Sequence, residues 1–312
     1  MVRYIYTTIF SLIGLGAILY SCEEPLDPGY FPPVENKLVV VSKFSTGKAI
    51  EVSVSKNRPI GSYEPIEYVT DAKVELYWKE TFLEQLQLIP AKDEYQFPYY
   101  ISQANFPVSG VEYTIKVTAD GYQPVMAKSR IPPSVKITKF KIDRRTVESI
   151  PGSGLQRNFF YTTIDFDDPS EKGDYYHLNI SQQVNDYIVE GLDTLIGKKT
   201  LHSVNFNPLG NKNTITANVE GGLLFEDKPD DQELQIVFYI DTDPGLQIFG
   251  KTYLELRTIS DDYYLYFTSL SKSDGVNPDP LSPPVIVYQN IENGLGIFAG
   301  YSNVMDSIQL SN

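Results

Sequence analysis

The sequence predicts an all-β protein of two antiparallel β-sandwich domains, the second larger and carrying one short helix. Three observations predict it. Apolar and polar residues alternate with a period of two in successive short runs, the pattern of a strand with one buried and one wet face. Gly, Pro and Asp clusters punctuate the runs, as they do in antiparallel sandwiches. A single segment after Ser260 repeats its apolar residues at helical spacing instead.

The first domain is expected at 36–133. "KLVVVSKFS" (Lys37–Ser45) and "AIEVSVSKN" (Ala49–Asn57) flank Gly47 as the two arms of a hairpin. In "DAKVELYWKE" the residues Ala72, Val74, Leu76 and Trp78 alternate with Lys73, Glu75, Tyr77 and Lys79, so Trp78 is expected inside. A further run sets Tyr113, Ile115 and Val117 on one face and turns at Asp120-Gly121. The spacing from Gly110 to Tyr122, G-x-x-Y-x-I-x-V-x-A-x-G-Y, resembles the immunoglobulin-like modules related to carboxypeptidase regulatory domains.

Pro132-Pro133 marks a boundary, since consecutive prolines cannot donate to a sheet ladder. The second domain, 134–312, opens with strand candidates from Val135 to Ile259 separated by turns such as "DTDPG". The helix is expected near 260–273, over one end of this sandwich. Ser260 is its N-cap, Asp261 and Asp262 complement its positive end, and Tyr263, Phe267 and Leu270 form its apolar stripe. Val285–Tyr288 reads as a strand. The run after it interleaves Gly294, Gly296 and Gly300 with Leu295, Ile297, Phe298 and Tyr301. Glycine in a strand points to close backbone approach, so this run is expected to be a tightly packed core strand beneath the helix.

The N-terminal end changes character at one point. An apolar run from Ile5 to Tyr20 ends at Leu19-Tyr20-Ser21-Cys22, and Cys22 is the sole cysteine. The run has the length of a signal-peptide core and is too short to span a bilayer comfortably. Its end resembles a bacterial lipobox, which implies cleavage after residue 21 and a thioether-linked diacylglycerol on Cys22. A lipid-modified chain hangs on a membrane without crossing it. Residues 22–35 are acidic and proline-rich and read as a stiff tether. Glu23 and Glu24 resemble the surface-export signal of Bacteroidetes lipoproteins, which implies display on the outer face of the outer membrane; the inner leaflet of that membrane is the alternative.

Removing residues 1–21, which carry Arg3 and no acid, takes the formal net charge from −14 to −15. Such a surface repels phosphate backbones, so no nucleic-acid partner is expected. With Cys22 lipidated there is no disulfide framework or thiolate metal cluster. The sequence contains no H-E-x-x-H, nucleophile elbow, P-loop or dinucleotide fingerprint, and no catalytic residue is assigned. His177 and His202 read as ordinary core or surface residues. Two oxygen-rich turns, Asp165-Asp167-Asp168 and Asp241-Asp243, are candidates for calcium, although Asp is also a common turn former. Aromatics make up 13% of the chain. The best candidate contact surface is Tyr95, Phe97, Tyr99 and Tyr100 around Pro98.

The tract "TISDDYYLYFTSL … PLSPPVIVYQNIENGLGIFAGYS", with "DFDDPSEKGDYYHLNI" before it, is similar to a Bacteroidetes outer-membrane lipoprotein family. That family is known as a domain of unknown function, and its members are often encoded beside SusC-like TonB-dependent receptors. The resemblance covers nearly the whole chain after Cys22. Family members often have Phe after the first proline, where this chain has Pro280-Leu281. The resemblance implies a non-enzymatic, lipid-anchored accessory subunit of such a transporter, acting in nutrient capture with a β-barrel partner. The alternatives are a non-catalytic structural subunit of a larger outer-membrane assembly and, more remotely, a glycan-degrading enzyme.

Overall fold

A computed structural model describes residues 35–59, 64–93, 95–167, 174–190, 193–207, 216–226, 233–273 and 285–310. Cys22, Glu23, Glu24, Asp168 and Pro280-Leu281 lie outside the described residues. The chain divides into Met1–Glu35 and Asn36–Asn312, and all the elements below belong to the second unit. They are all β apart from one helix.

The strands run in chain order β1 (Leu38–Ser45), β2 (Glu51–Lys56), β3 (Lys73–Trp78), β4 (Thr81–Gln85), β5 (Gln87–Ile89), β6 (Tyr99–Ile101), β7 (Glu112–Thr118) and β8 (Val125–Arg130). After Pro132-Pro133 come β9 (Lys136–Ser149), β10 (Gln156–Asp167), β11 (Tyr175–Glu190), β12 (Asp193–Ser203), β13 (Asn205–Phe206), β14 (Ala217–Val219), β15 (Gly222–Glu226), β16 (Leu234–Thr242) and β17 (Gln247–Ile259). The helix α1 (Asp261–Ser273) and β18 (Leu295–Gln309) end the fold.

One large sheet, ordered β14-β15-β11-β17-β18-β1-β2-β6-β5 with β12 also paired to β11, backs two four-stranded sheets. These are β4-β3-β7-β8 and β13-β16-β10-β9. Each closes its own core against the large sheet. The first holds Val40, Val52, Val74, Leu76, Ile115 and Val117. The second holds Phe160, Leu178, Ile236, Phe238, Leu254 and Leu256. The large sheet is continuous across both because β1 pairs β18 in parallel, from Val39↔Leu295 to Ser45↔Tyr301. A parallel pair needs a crossover connection, and here nearly the whole fold is that connection.

β18 therefore serves three environments with one alternation. Phe298 enters the first core, Val304 packs against the second, and Ile297 and Ala299 turn to the opposite face beneath α1. The glycines do what their spacing suggests. A Cβ on Gly296, whose φ is +105, would lie 2.2 Å from the Val40 carbonyl oxygen. One on Gly300 would lie 2.5 Å from the Arg130 carbonyl oxygen.

The helix forms where its period predicts. Ser260 Oγ accepts the Tyr263 N–H at 3.3 Å, the N-cap bond, and Tyr263 and Phe267 are buried. It covers the outer face of the large sheet over β11, β14 and β18, not an end of the second sandwich.

Two local expectations are corrected. Val285–Tyr288 forms no strand. It is held to the helix instead, with Tyr288 N–H donating to Ser269 Oγ at 2.8 Å and Tyr288 O–H to Asp262 Oδ1 at 2.7 Å. Trp78 is 46% exposed. It is the last residue of β3, and Lys79 beyond it turns the hairpin at φ 54, so the alternation runs out over the rim of the core.

Candidate functional site

β1 and β2 are antiparallel, with Val39 opposite Ser55 and Val41 opposite Ser53. Alternation divides their side chains cleanly. Val40, Val52 and Val54 are buried in the core, so Val39, Val41, Ser53 and Ser55 face the other side of the large sheet. That is the helix side, where the helix lies over β18 and its side chains meet the near part of β1, the Phe267 ring centroid lying 5.3 Å from Lys43 Nζ and Tyr266 and Leu270 standing beside Val39. Beyond these side chains Val41 is exposed, and the outer face over β2 and β6 is left open.

Aromatic side chains line the open strip. β6 pairs with β2 through Glu51↔Ile101 and Val52↔Tyr100. Tyr99 thus projects into the strip while Tyr100 points into the core. Tyr68, bridged to Ser55, stacks on Phe97 with centroids 5.4 Å apart and planes at 25°. A cleft of about 350 Å³ lies between these rings, Val41 and the polar side chains Lys43, Glu51 and Ser53. Partial burial raises the Tyr68 phenol above its ordinary range. Lys43 is held by Glu220, its Nζ lying 2.5 Å from Oε1 and 2.7 Å from Oε2.

A second cleft, of about 750 Å³, continues the strip beside Val39 and Ser55. Its walls are Ile66, Tyr266, Leu270 and Tyr288, and Asn57 and Arg58 line its polar side. Apolar walls with a few polar groups are the usual make-up of a ligand cleft. Flat ring faces beside hydroxyl, carboxylate and ammonium groups suit a ligand with an apolar face and a hydroxylated edge.

The four aromatic candidates separate. Phe97 is 62% exposed and Tyr95 84%, and the Tyr95 N–H is fixed by Asp93 Oδ1 at 2.9 Å. Tyr99 is half-buried in the strip. Tyr100 is a core residue, not a contact residue: its hydroxyl donates to the Val69 carbonyl and accepts the Ala72 N–H, both at 2.9 Å. Tyr68 is the member that sequence pattern does not single out. The available signal is the run "LVVV", which is apolar on both strand faces although only one of them meets the core.

The calcium candidates have other partners. Asp241 sits in β16 and receives two bonds from Arg157 on β10, each 2.8 Å, which holds its carboxyl below the usual range. Asp243 Oδ1 accepts the Gly245 N–H at 2.9 Å in a tight turn. Asp165 and Asp167 lie on β10 opposite Lys139 and Lys136. Among the described residues, no group of three or more His, Cys, Asp or Glu is placed to hold a metal ion.

His202 is exposed on β12, whereas His177 is fully buried. The Val219 carbonyl can only accept, so His177 Nε2 carries the proton toward it at 3.2 Å. Nδ1 then accepts the Tyr263 O–H at 2.9 Å. Burial first, then the charge of Arg257, lowers the imidazole pKa to about 4. It is a neutral structural link between sheet and helix.

No curated protein matches the chain. The model of the family described as a domain of unknown function, DUF4249, matches residues 23–307. That span takes in both cores, the helix, the aromatic strip and the glycine-spaced β18, and the chain belongs to this family.

Proposed function

We propose that this is a lipid-anchored outer-membrane protein, displayed on the cell surface, that works by binding. In this reading it is the accessory subunit of a SusC-like TonB-dependent transporter and helps capture a nutrient outside the barrel. The observation that carries the reading is the open aromatic strip over β1, β2 and β6, where Tyr68, Phe97 and Tyr99 lie beside Glu51, Ser53 and Lys43. Ring faces and adjacent polar groups suit a glycan, whose C–H faces stack while its hydroxyls hydrogen-bond. The anchor is supported by Cys22 at the end of the apolar run and by a family match that begins at the very next residue, Glu23.

The test uses the full chain in its own envelope. Gentle detergent extraction followed by mass spectrometry is expected to recover a large β-barrel together with the protein. A glycan panel is expected to yield a binder whose affinity drops at least tenfold in Phe97→Ala. Cys22→Ser is expected to release the protein from outer-membrane pellets. A preparation that pellets unchanged without Cys22, or whose glycan binding ignores Phe97, would defeat the corresponding half of the proposal.

A further inference from the structure

β12 is an edge strand unlike the other edges of this fold. It is 11 residues long, pairs only with β11, and has no other strand partner among the described residues. An unpaired edge offers alternate N–H and C=O groups to any extended chain that lies against it. The remaining edges are protected by means natural sheets commonly use. β5 and β14 are three residues each, β13 is two, and β4 is five, with Phe82 its exposed large apolar side chain. β8 is bridged at Met126 to Glu292. β9, the other long edge, is charged at half of its 14 positions, "KITKFKIDRRTVES".

β12 instead shows aliphatic side chains. Leu195, Ile196 and Leu201, with Ile188 opposite Leu195 on β11, are between 51% and 61% exposed. Between them sit Lys198 and Lys199, both exposed, on a chain whose formal net charge is −14. The local charge is therefore opposite to that of the whole molecule.

We propose that β12 is a docking edge that takes an extended segment of a partner protein by strand addition. The segment it fits alternates apolar residues with acidic ones: main-chain bonds supply affinity, and the side chains supply selection. A second copy of this chain fits poorly. Full antiparallel overlap of β12 with itself centres on Lys198 and sets it opposite its own counterpart, and like charges directly opposite destabilise a strand pair. The inference goes beyond the proposed function, since it holds whether or not the aromatic strip takes a glycan and whether or not the partner is a barrel.

The full chain in detergent micelles, mixed with the synthetic peptide EVTVEVTVE, tests it by amide hydrogen exchange. Exchange across 193–203 is expected to slow at least tenfold, while the basic counterpart KVTVKVTVK leaves it unchanged. The double variant Lys198→Glu, Lys199→Glu is expected to lose the protection with its unfolding midpoint intact. Unchanged exchange at the highest soluble concentration of the acidic peptide overturns the proposal, and so does equal protection by both peptides. Protection that appears without peptide and grows with protein concentration would assign the edge to self-association instead.

Discussion

Phe44 and Phe298 stack in the first core with ring centroids 4.4 Å apart and planes at 23°, although one lies in the first strand and the other in the last. Each is almost wholly buried. The pair closes the large sheet across its parallel junction, where Ser42 lies opposite Phe298 and Phe44 opposite Gly300.

Phe298→Ala should therefore cost about 3–5 kcal/mol, the range for emptying a buried aromatic site. Gly296→Ala adds only a methyl group, yet it should cost a comparable amount. Its φ of +105 is strained for any L side chain, and the methyl would meet the Val40 carbonyl oxygen at 2.2 Å. Denaturant midpoints for both variants check this. A Gly296→Ala protein as stable as the parent would mean that β18 does not approach β1 as described.

Buried His177 makes stability depend on pH. Its folded pKa of about 4 lies below the ordinary 6.5, so between those values the unfolded chain binds a proton that the native chain excludes. The contribution is whole above pH 6.5 and is lost as pH falls toward 4. The slope should reach about 1.4 kcal/mol per pH unit. Its neighbours are Tyr263 and the Val219 carbonyl, with Arg257, Glu220 and Lys43 further out. Unfolding free energies of the parent and His177→Gln, compared between pH 5 and 6.5, should differ by that slope. Parallel pH curves would remove the assignment.

Tyr100 and Phe97 lie close together in the sequence and should separate stability from binding. Tyr100→Phe strands the buried Ala72 N–H and Val69 carbonyl, at about 1–3 kcal/mol. Phe97→Ala, at a mostly exposed position, should stay within about 0.5 kcal/mol of the parent while weakening ligand capture. Thermal melts alongside a binding assay read both. A reversed order would place the candidate contact surface on the wrong residues.

What is local in this fold is legible in the sequence. The α1 N-cap, its acidic first turn and its stripe are set by neighbours within a few residues, and Ser260, Tyr263 and Phe267 take the predicted roles. The β1–β2 hairpin follows from Gly47 between two strand-like runs, the second of which alternates. What depends on distant pairing is not legible. No local pattern in "LVVV" tells which of its two apolar faces stays open, and that choice exposes the strip beside Tyr68. Alternation also cannot show where a core ends, so it puts Trp78 inside when the rim lies one residue earlier. For Tyr99 and Tyr100, composition marks an aromatic cluster, but only the register against β2 decides which ring faces out.

Asn290 carries the last prediction, because its side chain does the work of a missing strand. Its Nδ2 donates to the Phe298 carbonyl at 2.8 Å and to the Lys128 carbonyl at 3.2 Å, while its Oδ1 accepts the Phe298 N–H at 3.0 Å. One amide thus satisfies both backbone groups of a fully buried core residue. Asn290→Asp keeps the acceptor, removes both donors and sets a carboxylate against two carbonyls. It should cost about 1–3 kcal/mol, close to the cost of Asn290→Ala despite the conserved shape. Equilibrium unfolding of both variants decides the matter. If the aspartate protein matches the parent, the donor bonds to Phe298 and Lys128 contribute nothing, and β18 is held by its glycines and its aromatic stack alone.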